Sequence, residues 1–177
     1  MKKKIILFSW LLFIHLGCFV QPNNRSDMKN ERDLNVKVFL ENDFLKIQLS
    51  NNSIESIKIW ELWNSWGWKT FSFNLRKETS GEIFKIFRDI NRDWTVNYPS
   101  VIEIKPKASQ EFTFSLNDGT WISDMGIKSF KNQRIQIQAV FRIDVSSEAK
   151  EFSVFIGEIK SDWINSSPNH KWLYLGQ

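Results

Sequence analysis

Four tryptophans fall within nine residues, in the run Trp60-Glu61-Leu62-Trp63-Asn64-Ser65-Trp66-Gly67-Trp68. An indole is flat and apolar and carries one N–H donor. An exposed set of them can stack against sugar rings or cover a protein partner, with Asn64 and Glu61 orienting the ligand. The same residues also suit the interior. On a strand, Trp60 and Trp63 would point to opposite faces, which sends at least one of them inward. Trp66 and Trp68, on either side of Gly67, can cap the end of a barrel or pack beneath a loop. Core or cap packing is the first reading of Trp60, Trp63, Trp66 and Trp68. A protein-interaction surface comes second and a carbohydrate contact third, with Asn64 as the polar member of such a surface.

Other chemistries find little support in the sequence. His15 and His170 are the only histidines, and no G-x-S-x-G elbow accompanies His170, so a nucleophile–histidine–acid triad has no context. Zinc needs three or four clustered His, Cys or carboxylate ligands, and the sequence offers no such set. Asn117, Asp118 and Asp124 are oxygen donors in one loop region, but their spacing matches no calcium loop, and a turn explains Asn117-Asp118-Gly119 more simply. No glycine-rich loop is present to cradle a phosphate. Paired carboxylates for glycoside hydrolysis are defined by a separation of about 5–10 Å in space, which a sequence does not give. Acids such as Glu103 and Asp144 alternate with apolar residues, as on the wet face of a strand. No catalytic residue, cofactor or metal is expected.

The one cysteine carries a different chemistry. Lys2, Lys3 and Lys4 precede the apolar run Ile5–Ile14, and Leu16-Gly17-Cys18 follows. A charged start, an apolar stretch of about 7–15 residues and a small residue before the cut describe a secretory signal. The segment resembles a bacterial lipoprotein signal peptide, with Leu16-Gly17-Cys18 as the end of the lipobox and His15 where that family usually has an aliphatic residue. The resemblance covers residues 1–18. It implies export, cleavage before Cys18 and a palmitate-type acyl anchor on that residue. Each buried methylene contributes about 0.8 kcal/mol, so two or three chains hold a protein at a membrane. Two alternatives use the same residues: a conventional secretory cut, or retention of the segment, which is short of the roughly 20 apolar residues that span a bilayer.

The leader also distorts the charge. Of 24 basic residues three lie in it, which leaves 21 against 20 acids. Near-neutrality gives no electrostatic case for a nucleic-acid partner. With no second cysteine, an internal disulfide is impossible and stability rests on packing. Aromatic residues supply that packing, with 15 Phe and nine Trp in the chain.

Three segments follow: a signal at 1–17, the lipidated cysteine with a polar tether at 18–33, and one domain at 34–177. A fifteen-residue tether would place the domain roughly 20 Å from its anchor. Past Leu34 the dominant period is two. Leu45, Ile47 and Leu49 alternate with polar residues, as do Phe71, Phe73 and Leu75, and Phe112, Phe114 and Leu116. The longest run is Ile135, Ile137, Ala139, Phe141, Ile143 and Val145, with Val140 the one break in its polar face. Such alternation predicts half-buried strands. Further strands are predicted at 36–40, 56–63, 83–87, 101–105, 121–123 and 152–160. Turns are predicted at Thr79-Ser80-Gly81, at Lys131-Asn132 and, as a hairpin, at Asn117-Asp118-Gly119. Pro99 and Pro106 bracket an edge strand. No helical stripe is evident.

The sum is an all-β fold, an antiparallel β-sandwich of about 9–10 strands. Its strand order looks like an immunoglobulin-like or fibronectin type III-like sandwich. The expected role is that of an exported lipoprotein of the bacterial cell envelope, membrane-bound through lipid. It would act as a non-catalytic binding or accessory module with a protein or glycan partner. A carbohydrate-binding module built on Trp60–Trp68 is the alternative, and an acid-based glycoside hydrolase the third reading.

Overall fold

The computed structural model describes residues 33–42, 44–91, 93–95, 97–124 and 133–166. Among them the chain forms eleven strands and two helices of a single turn. The order is β1 (Leu34–Glu41), β2 (Phe44–Asn51), β3 (Ile57–Trp60), α1 (Ser65–Trp68), β4 (Phe71–Lys77), β5 (Ile83–Arg88), β6 (Val101–Ile104), β7 (Ser109–Phe114), β8 (Trp121–Ser123), β9 (Ile135–Ile143), α2 (Ser147–Glu151), β10 (Gly157–Lys160) and β11 (Ile164–Ser166). The ladders joining these strands are antiparallel.

Two sheets make an all-β sandwich. One has the order β1-β2-β7. The other is six-stranded, ordered β10-β9-β4-β5-β8, with β11 also on β9. A short ladder, β3-β6, stands at one end. It touches the α2–β10 connection, where the Phe155 N–H donates to the Lys58 carbonyl at 2.7 Å.

Alternation along each strand sends one set of side chains inward. Leu45, Ile47 and Leu49 of β2 and Phe73 and Leu75 of β4 are fully buried. The inner faces meet through aromatic pairs. The Phe71 ring lies 5.3 Å from Phe112, 5.2 Å from Phe114 and 4.9 Å from Phe141. Phe73 and Phe114 both pack on Trp121, at 5.2 and 5.6 Å. Pairs of this kind contribute about 0.5–1.5 kcal/mol beyond their buried area, which suits a chain that has no disulfide. Val140, which interrupts the polar face of β9, is itself buried, so that break records a covered position on the outer surface.

Several expectations are corrected in detail. The strand predicted at 56–63 stops at Trp60, because Asn64 caps α1 and turns the chain. The span 152–160 holds one bridge, Lys58 with Val154, and then β10. Asn117-Asp118-Gly119 turns the chain, with Gly119 at φ 76°, but it does not close a hairpin. It carries the chain from β7 in one sheet to β8 in the other, and β8 pairs with β5. Asp118 Oδ1 is used by the turn itself, accepting from the Thr120 backbone N–H at 2.9 Å and from its hydroxyl at 2.6 Å. Thr79-Ser80-Gly81 does close the β4–β5 hairpin, with Gly81 at φ 70° and its N–H on the Lys77 carbonyl at 2.9 Å. The turn expected at Lys131-Asn132 lies outside the described residues.

Candidate binding surfaces around the tryptophan run

The run between β3 and β4 is held by a network centred on Asn64. Its Oδ1 accepts from the Gly67 N–H at 2.8 Å, the usual role of a helix N-cap. Its amide nitrogen donates to the carbonyl and hydroxyl oxygens of Ser100, at 3.1 and 3.2 Å. The Ser100 hydroxyl in turn donates to Glu61 Oε2 at 2.7 Å. Asn97 completes the clamp, accepting from the Ser65 N–H at 3.0 Å and donating to the Ser65 hydroxyl at 2.8 Å. Asn64 is therefore a buried structural residue, not an exposed polar contact.

The four indoles separate. Trp60 is 2% exposed and packs on Phe152, with ring centres 5.5 Å apart. Trp68 is 5% exposed; its Nε1–H donates to the Asp89 carbonyl at 2.7 Å and its ring meets Trp94 edge-on at 5.8 Å. Trp66 is half-buried, tilted 38° to Trp60 at 6.0 Å. Trp63 alone projects, 76% exposed. The four do not share a plane facing solvent.

Two clefts open beside this run. One, of about 300 Å³, lies between β7 and the β3–β6 ladder; Glu61, Leu62, Trp63, Ile102 and residues Glu111 to Phe114 line it. The other, of about 570 Å³, lies on the outer face of the six-stranded sheet. Ser72, Lys85 and Phe87 form its floor, with Phe87 opposite Ser72 in the β4–β5 register. Trp66 and Lys69 wall one side, and Arg142, Asp144, Ser146 and Glu148 wall the other. Arg88 borders both clefts from the interior, its guanidinium 4.0 Å from the centre of the Trp68 ring.

The charges of the larger cleft are unevenly satisfied. Arg142 donates to Asp144 at 2.7 Å, and that hydrogen bond raises its pKa above the ordinary arginine value. Glu148 is held below the ordinary carboxylate range by bonds from its own backbone N–H and from the hydroxyls of Ser147 and Ser146. Glu148 therefore favours the ionised form. Lys69 and Lys85 make no ion pair among the described residues.

Sequence reading singled out the tryptophan run, with core or cap packing as its first reading. It missed Lys85 and Phe87 of β5 and Arg142 of β9. One signal was available: in β5, Ile83 and Phe87 put apolar residues on the face that also carries Lys85, where alternation alone would place polar ones. Cys18 and His170 lie outside the described residues. Asp124 accepts from the Lys85 backbone N–H at 3.1 Å, and among the described residues no three His, Cys, Asp or Glu come together as a metal site. No protein-family model matches the chain, and no curated protein or solved structure matches it either.

Proposed function

We propose that this chain is a non-catalytic binding module of a bacterial cell-envelope lipoprotein, anchored through acylated Cys18, that takes up an extended segment of a partner protein along the outer edge of β7. One observation carries the reading. Among the described residues β7 pairs only with β2, and the 300 Å³ cleft runs along its other side, next to the exposed Trp63.

The direction of the backbone groups follows from the register. The Asn51 N–H reaches the Ala108 carbonyl at 2.9 Å, so alternation turns Leu49, Ile47 and Leu45 toward β7 as well. Their partners Gln110, Phe112 and Phe114 face β2. Ser109, Glu111 and Thr113 therefore direct N–H and C=O groups outward. An outward row of this kind can accept an added strand, with main-chain hydrogen bonds giving affinity and flanking pockets giving specificity. Trp63, Leu62 and Ile102 would cover an apolar side chain of the incoming segment. Glu61 and Glu111 favour a Lys or Arg beside it.

Two further points support binding over catalysis or a flat sugar platform. Glu148, a carboxylate of the larger cleft, is stabilised as an anion, whereas a general acid needs its proton held. Of the indoles at 60–68, Trp63 is exposed, Trp66 half-buried and Trp60 and Trp68 buried, so they form no flat platform.

Selection of displayed peptides on the full-length protein in detergent tests the proposal. Extended peptides pairing apolar with basic residues should be enriched. The Thr113→Pro variant removes one outward donor from an edge position, where proline is tolerated. It should weaken those peptides about tenfold or more with little change in melting temperature. Failure to enrich any peptide, or binding that Thr113→Pro and Trp63→Ala leave intact, would refute the edge. For the anchor, Cys18→Ser should move the protein from the membrane fraction to the soluble envelope fraction; retention in the membrane would refute lipidation.

A further inference from the structure

We infer that the 570 Å³ cleft on the outer face of the six-stranded sheet is a separate ligand site, and that it takes an acidic saccharide. It is independent of the β7 edge and uses different residues.

The volume lies within the range of small-ligand sites, about 300–1,000 Å³. Its chemistry narrows the ligand class. Trp66 and Phe87 present half-buried rings to the space, surfaces that suit the apolar face of a sugar ring. Ser65 and Ser72 add hydroxyls that can donate or accept. The charge balance then selects for an anion. The two acids of the wall are occupied from within the protein, Asp144 by Arg142 and Glu148 by neighbouring hydroxyl and backbone donors. The ammonium groups of Lys69 and Lys85 make no ion pair among the described residues and border the same space. A neutral sugar would leave both lysines without a countercharge. A sugar carrying carboxylate or sulfate would give them one, in charge-assisted hydrogen bonds stronger than neutral ones.

The framework is suited to hold this arrangement. Ser72, Lys85 and Phe87 stand on paired strands, with Ser72 opposite Phe87 and Asn74 opposite Lys85. Trp66 sits on α1, fixed by the Asn64 and Ser100 network. A site whose floor is a sheet and whose wall is clamped loses little freedom on binding.

Calorimetric titration of the full-length protein in detergent tests this. The probes are hexamers of galacturonic acid, hyaluronan and heparin, together with the carboxyl-reduced galacturonan hexamer. At least one acidic hexamer should bind. The carboxyl-reduced hexamer should bind about tenfold more weakly than its acidic parent, as should an acidic hexamer to Lys85→Gln or Lys69→Gln. Lys37→Gln, on the outer face of the other sheet, should leave affinity unchanged. Three results would each overturn the assignment: no binding of any acidic hexamer, equal binding of the reduced one, or an equal loss in Lys37→Gln. Peptide binding at β7 should be indifferent to Lys69→Gln and Lys85→Gln, which separates failure of this site from failure of the edge.

Discussion

The guanidinium carbon of Arg88 sits 4.0 Å from the centre of the Trp68 ring, and both residues are buried. Phe114 and Trp121 hold the same cation at 5.1 and 5.3 Å. A cation removed from water gains about 2 kcal/mol or more from an aromatic face. Trp68 is therefore both core and cover for a charge. Trp68→Ala should lose about 3–5 kcal/mol through the cavity it leaves, and it also removes the bond from Nε1 to the Asp89 carbonyl. Trp63→Ala, on a side chain 76% exposed, should change stability by no more than about 0.5 kcal/mol. Urea unfolding of the two variants checks the contrast. Equal losses would contradict the division of the run into core and surface.

Gly67 makes a second, steric prediction. In an ordinary helix Gly→Ala stabilises by about 1 kcal/mol. Here a Cβ at position 67 would fall 1.9 Å from the carbonyl oxygen of Glu61 and 2.6 Å from its carbon. These are backbone atoms held by the clamp on Ser100, so no side-chain rotation relieves the overlap. The clash outweighs the propensity, and the sign reverses. Gly67→Ala should lower the melting temperature, and a rise would show that the β3–α1 connection yields more readily than the Ser100 clamp implies.

What sequence revealed and what it hid divide along physical lines. β9 was legible because Ile135, Ile137, Ala139, Phe141 and Ile143 alternate over nine residues and bury on one face. The Thr79-Ser80-Gly81 turn was legible because a glycine there meets the need for positive φ. α1 and α2 were not, since four or five residues carry no period and are fixed by caps from Asn64 and Ser146. The turn at Asn117 to Gly119 was read correctly, but not which sheet followed it, because local turn chemistry does not specify the strand with which the next segment pairs. The sites were harder still. Glu111 is far along the chain from Glu61 and Trp63, and Trp66, Lys85 and Arg142 are far from one another, so only the folded chain brings each set to one cleft.

Asn64 allows the cap and the clamp to be separated. Asn64→Ala removes both the acceptor for the Gly67 N–H and the donors to Ser100, and should cost more than the loss of about 1 kcal/mol typical of an N-cap. Asn64→Asp retains the acceptor but sets a carboxylate against the Ser100 oxygens. Asn64→Ser should retain the cap and lose the clamp, and so fall between wild type and alanine in urea unfolding. If serine matches alanine, the clamp to Ser100 outweighs the cap.

The acid limb of stability should depend on Glu148. Its folded pKa lies below the ordinary value of 4.5 because its own backbone N–H and the hydroxyls of Ser147 and Ser146 stabilise the carboxylate. For a depressed pKa the unfolded chain binds the proton more readily, so stability is gained as pH rises. The Glu148 contribution is complete above the unfolded value and is lost as pH falls through the folded one. Wild type should therefore lose more stability than Glu148→Gln as pH is lowered from neutrality to below 4.5, and the two unfolding curves should converge in acid. The same carboxylate borders the larger cleft, so its neutral replacement removes a negative charge near Lys69 and Lys85. Glu148→Gln should then bind an acidic hexamer at least as tightly as wild type at neutral pH, and weaker binding would place Glu148 among the groups that hold the ligand.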